Sequence, residues 1–111
     1  MSSLLEIITC FVTEISLEIG TKHTNAIYKQ CLAHEARMNG LQVVIQPSQY
    51  VYYKTVLVGL YSCDLFMTNT SGEKAYITLN DDQDFEKFHE DDTMLIDIDF
   101  VTGAIKVIKR E

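Results

Sequence analysis

The sequence predicts an α+β fold, with two N-terminal helices packed on one face of a mainly antiparallel or mixed sheet and a hairpin closing the chain. Three observations predict it. Apolar residues recur at three- and four-residue steps from Leu4 to Met38, the runs after Gly40 are rich in Val, Ile, Leu and Tyr, and turn signals separate those runs. A chain of 111 residues holds one compact domain, so residues 1–111 are read as a single unit.

Ser2 and Ser3 are capping residues, and Leu4, Leu5, Ile8, Phe11, Val12, Ile15 and Ile19 form an apolar stripe opposite Glu6, Glu14 and Glu18. A helix is expected from about residue 3 to about residue 18, with Gly20 as its stop. From Asn25, the residues Ile27, Tyr28, Cys31, Leu32, Glu35 and Met38 fall on adjacent turns of a second helix, which Asn39-Gly40 ends. LQVVIQ, YVYYK and TVLVGLYSCDLFMT then read as strands of a meander, the last two joined at Lys54-Thr55. After the turn Asn69 to Gly72 comes the strand KAYITL, and a short helix is expected around Asp84 to His89. MLIDIDF alternates, with Met94, Ile96, Ile98 and Phe100 on one side, and Thr102-Gly103 turns it into AIKVIKR as a terminal hairpin.

Sixteen Asp+Glu against nine Lys+Arg give a formal charge of −7, the wrong sign for gripping phosphate backbones. Nine of the acids fall between Asp81 and Asp99, which concentrates negative potential at one end of the sheet. Cys10, Cys31 and Cys63 are widely spaced and lack a CxxC pair, which argues against a disulfide framework or a zinc site. No run approaches the ~20 apolar residues of a membrane span, and the acidic N-terminus does not suit a signal peptide. An intracellular protein, cytoplasmic or nuclear and with reduced thiols, is expected.

The segment YYKTVLVGLYSCDL is the most specific in the chain. Its Tyr53-Lys54, Val58-Gly59, Tyr61 and Asp64-Leu65 resemble the core of the GxxExxY family, a branch of the PD-(D/E)XK nuclease superfamily whose members carry a "YK…GxYxxDL" run. EIGTKHTNAIYKQCLAHEARMNGLQV resembles the family's helix junction, with Gly20, Tyr28, Leu32, Glu35, Arg37 and Gly40 in matching places. MLIDIDFVTGAIKVIKR resembles its closing hairpin, so the likeness runs from about residue 12 to about residue 110. Family members occur in bacteria and in large DNA viruses, with which a viral source is compatible.

That resemblance implies an active site in which a strand-borne Asp and a Glu-x-Lys on the neighbouring strand hold a divalent metal while the Lys prepares water. Asp64 matches the first carboxylate. Thr78 stands in place of the Glu, Asn80 in place of the Lys, Asn25 in place of the helix Glu, and Thr21-Lys22 in place of Pro-Gly. The segment before the final hairpin is short, with Gln83 as the one remnant of the family's helix pattern there. Hard cations usually need at least two carboxylates to give up their hydration shell. The resemblance therefore implies a vestigial site of Asn25, Asp64, Thr78 and Asn80, a fold without nuclease chemistry, and no cofactor. The alternative is a nuclease with migrated ligands, in which Glu73, Asp81 or Asp82 reaches back toward Asp64 and restores a Mg²⁺ site. A third reading keeps nucleic-acid binding and drops catalysis.

Other constellations have plainer readings. His34-Glu35 lacks the second His of a zincin helix at Met38, and Asn80-x-Asp82-x-Asp84 has Phe85 where a calcium loop needs Gly. Cys63 reads as a core cysteine rather than a nucleophile, since strand alternation puts it on the opposite face from Asp64. Tyr50, Tyr52 and Tyr53 lack the basic groove of a stacking platform and read as sheet packing or as an interface. Lys106, Lys109 and Arg110 are the one basic strand that a dimer could align against nucleic acid. The expected function is a non-catalytic interaction or scaffold protein, a homodimer with a protein partner, and with neither nucleic acid nor membrane as its main target.

Overall fold

The computed structural model describes residues 3–79 and 93–109. Helix α1 spans Leu4–Ile19 and helix α2 spans Asn25–Met38. The start of α1 is a capping box: the Ser3 hydroxyl accepts from Glu6 N–H at 3.2 Å, and the Glu6 carboxylate accepts from Ser3 N–H at 3.1 Å. That bond from the Ser3 backbone also lowers the Glu6 pKa. Gly20, at φ 83°, ends the helix in a backbone conformation that side chains disfavour.

Seven strands follow: β1 Gln42–Ile45, β2 Ser48–Tyr53, β3 Val56–Ser62, β4 Leu65–Thr68, β5 Lys74–Leu79, β6 Thr93–Asp99 and β7 Ala104–Lys109. Five form one sheet in the order β1-β4-β5-β6-β7, and β2-β3 form a separate two-stranded sheet. Within the larger sheet β5 and β6 run parallel and the other neighbours are antiparallel. The α+β class and the mixed sheet are as the sequence predicts.

The core lies between the helices and this sheet. Leu4, Ile8, Phe11, Val12 and Ile15 from α1 and Tyr28, Leu32, Ala33 and Ala36 from α2 meet Leu65 and Met67, Ala75, Ile77 and Leu79, and Met94, Ile96 and Ile98. Alternation puts Tyr76 and Leu95 on the other face, where they form a smaller cluster with Cys63. Tyr28 stacks on Phe100 with centroids 4.1 Å apart, and its hydroxyl donates to Gly20 O at 2.7 Å, tying the helix junction to the end of β6.

The meander is corrected. β1 pairs with β4, not with β2, and the expected single strand over residues 55–68 is broken between Ser62 and Leu65. The break has a local cause. Asp64 turns its N–H to Ile77 O at 3.1 Å and its C=O to Gln46 N–H at 2.9 Å, while Cys63 N–H bonds Pro47 O. Residues 42–53 and 56–68 thus form one antiparallel ribbon whose lower half joins the sheet and whose upper half leaves it as a hairpin arm. The expected helix over Asp84 to His89 and the calcium-like run from Asn80 to Asp91 lie outside the described residues.

Candidate functional site

The residues singled out as a vestigial site meet, in part, at the end of β5. Asp64 sits where the ribbon enters the sheet, and its Oδ2 accepts from Leu79 N–H at 2.9 Å. Asn25 opens α2, and its Nδ2 donates to Leu79 O at 2.9 Å. The peptide groups of Leu79, the residue between Thr78 and Asn80, are held from both sides. The other carboxylate oxygen of Asp64 lies 3.7 Å from Lys29 Nζ, with side chains 24% and 18% exposed, and the same ammonium donates to Gln46 Oε1 at 2.7 Å. Asn25 and Lys29 share a helix face through their four-residue spacing. Lys29 and Gln46 were missed from the sequence; that spacing was the available signal for Lys29, and nothing local marks Gln46.

Thr78 lies on the strand next to Asp64, since Leu65 pairs with Ile77. Its hydroxyl, however, donates to Asp97 Oδ1 at 2.7 Å across the parallel β5-β6 pair, on the face of Tyr76 and Leu95 rather than that of Ile77 and Leu79. The pair Asp64 and Thr78 is therefore split between two sets of partners. Asn80 is outside the described residues.

Glu73 does not reach toward Asp64. It stands before the opposite end of β5, where its carboxylate accepts from Leu4 N–H at 3.1 Å and from Asn69 Nδ2 at 2.8 Å. Its charge serves the N-terminus of α1. Asp81 and Asp82 fall outside the described residues. Among the described residues, no group of three or more His, Cys, Asp or Glu is placed to hold a metal ion. Among the described residues, a divalent cation at Asp64 would meet one carboxylate, already bonded to Leu79 N–H, and would face the Lys29 ammonium, a donor set that by itself does not fit a hard metal.

Cys63 is buried, its thiol donates to Leu65 O at 3.5 Å, and burial pushes its pKa up to about 12, which is the state of a core thiol and not of a nucleophile. His34 is exposed on α2. Tyr50, Tyr52 and Tyr53 all lie on the arm, 60, 62 and 63% exposed, and are not packed into the sheet. Lys106 is exposed on β7 as the register partner of Asp97, which sets a carboxylate beside it. Lys109 ends β7, and Arg110 lies outside the described residues. Of the acidic stretch, Asp97 accepts from Thr78 and Asp99 accepts from Val101 N–H at 2.9 Å. No helix among the described residues is long and apolar enough to cross a membrane.

A family model described as the PD-(D/E)XK nuclease superfamily matches residues 2–77, a span that includes Asp64 and ends one residue before Thr78. No curated protein and no solved structure matches the chain.

Proposed function

Given that this chain belongs to the PD-(D/E)XK nuclease superfamily, we propose that it is a degenerate member of the GxxExxY branch which works as a non-catalytic, intracellular interaction protein and as a homodimer. The observation that carries this reading is the occupation of Asp64. The carboxylate at the family's first metal-ligand position accepts from Leu79 N–H and faces Lys29, a cation supplied by the protein itself. Support also comes from Thr78, whose hydroxyl is turned to Asp97, and from the Glu-x-Lys positions, which carry Thr78 and Asn80. A metal-dependent hydrolase needs two or more hard ligands and a group to prepare water. Here the position of the second carboxylate carries a neutral side chain, and so does that of the lysine.

Thermal melting with and without Mg²⁺ or Mn²⁺ tests the reading. A cation at a hundredfold excess over its Kd would add about 2.7 kcal/mol, enough to raise Tm by roughly 10 °C or more in a domain of this size. The expected shift is under about 1 °C, with no metal-dependent cleavage of DNA or RNA. A large shift that Asp64→Ala abolishes would restore the migrated-ligand nuclease. Binding to duplex DNA at about 150 mM salt is expected to be undetectable, because few cations are available to displace counterions. Salt-sensitive binding that Lys106→Glu/Lys109→Glu removes would assign the fold to nucleic-acid binding instead.

A further inference from the structure

The β2-β3 arm is apolar on both faces and belongs to neither core cluster. Its register pairs Tyr50 with Leu60 and Tyr52 with Leu57, which sets these four side chains in one stripe, each more than half exposed. Tyr53 pairs with Val56 on the other face, again with both exposed above 60%. An isolated two-stranded hairpin is marginal in water, and a contiguous apolar surface of this kind marks a contact. The geometry points to the arm as the surface through which two copies of this chain associate, arm on arm about a two-fold axis. This deepens the interaction-protein reading and rests on it.

Two observations select a second copy. The first is charge. Residues 36–63 contain no Asp or Glu and carry Arg37 and Lys54, so all sixteen acids lie elsewhere with the remaining bases. Two copies repel one another wherever acidic surface meets acidic surface, and the arm brings no carboxylate of its own to either side of a two-fold contact. The second is area. Three tyrosines of ~200 Å² each, exposed by about 60%, and the half-exposed aliphatic residues of the arm present roughly 800 Å², which is what one partner contributes to a standard interface. Since that area is divided between two faces, the mate must clasp the arm, as two crossing arms do.

Sedimentation of the full chain between about 1 and 100 µM, at about 50 and 500 mM salt, tests this. The expected result is a dimer that tightens or holds as salt screens the acidic bodies. Tyr52→Glu and, separately, Leu57→Glu should each weaken it by about a hundredfold. Leu17→Glu, at an exposed apolar position on α1, should leave it unchanged. Amide exchange of the unmodified chain reads the contact without any substitution: amides of residues 50–60 should slow between the low and the high concentration. A chain that stays monomeric at 100 µM overturns the proposal, and so does a dimer whose arm amides exchange at the same rate as in the monomer. A dimer that weakens as salt rises overturns it in favour of the arm docking on acidic surface. Metal-dependent cleavage would defeat the non-catalytic reading and leave the dimer measurement standing, whereas a monomer without nuclease activity would do the reverse.

Discussion

Leu65 and Leu57 belong to one antiparallel ribbon and meet opposite fates. Leu65, in the half that joins the sheet, is fully buried under the helices; Leu57, in the arm, is 52% exposed. Both halves are built from the same β-forming, apolar residue types. The difference lies in what stands above them. α1 and α2 cover the sheet as far as the bend at Asp64, and beyond it the ribbon has left the sheet. Strand hydrophobicity alone marks surface that must be covered, and whether the cover is the chain's own core or a second molecule depends on where the ribbon bends.

The sharpest test of the comparison truncates one residue in each half. Leu65→Ala, in the half that joins the sheet, should cost about 2–5 kcal/mol in urea unfolding, through lost burial and the cavity left behind. Leu57→Ala, measured at a concentration where the chain is monomeric, should change stability by no more than about 0.5 kcal/mol. Similar losses in both would mean that the arm is part of the fold's own core.

The joint between the halves comes next. Asp64→Ala leaves Leu79 N–H without its acceptor and Lys29 without its carboxylate, and a loss of about 1–3 kcal/mol is expected in the same assay. A neutral result would remove Asp64 from the structural role argued for it. Tyr28→Phe tests the helix junction of the body: it keeps the stack on Phe100, deletes the bond to Gly20 O and takes away the acceptor of His23 N–H, for a cost of about 1–3 kcal/mol.

Smaller effects are expected at the tip of the arm. Lys54 and Thr55 both hold positive φ, 49° and 70°, in the tight turn between β2 and β3, and a β-branched residue is poorly suited to that region. Thr55→Gly should raise stability by about 0.5–1 kcal/mol, as a small upward shift in Tm. Cys63, at the base of the arm, should show no effect near neutral pH. Its pKa is raised from 9.0 to about 12 by burial, so between those values the unfolded chain loses a proton that the folded chain keeps. Stability should therefore lose the Cys63 contribution as pH rises from about 9 to about 12, and Cys63→Ala should make the alkaline fall shallower by that part. Below pH 8, iodoacetamide should label exposed Cys10 well before Cys63.

The helices were legible because their signals are local. The three- and four-residue apolar spacing, the Ser3 cap and the Gly20 stop act within a few residues of one another, and the helices form at Leu4–Ile19 and Asn25–Met38 as those signals require. The alternation of residues 94–100 assigned Met94, Ile96 and Ile98 to the core face for the same reason. Asp64 and Asn25 were legible as a pair through family resemblance, and they do meet, at Leu79. What only the tertiary structure decided depends on residues far apart in the chain: the pairing of β1 with β4, the parallel contact of β5 with β6, the Lys29 ammonium against Asp64, and the turning of Thr78 to Asp97. A strand carries two edges and two faces, and its residue pattern shows which face seeks cover but not which strand will lie along either edge. That choice is made by the long-range register, and it separates a buried Leu65 from an exposed Leu57 eight positions earlier on the same ribbon.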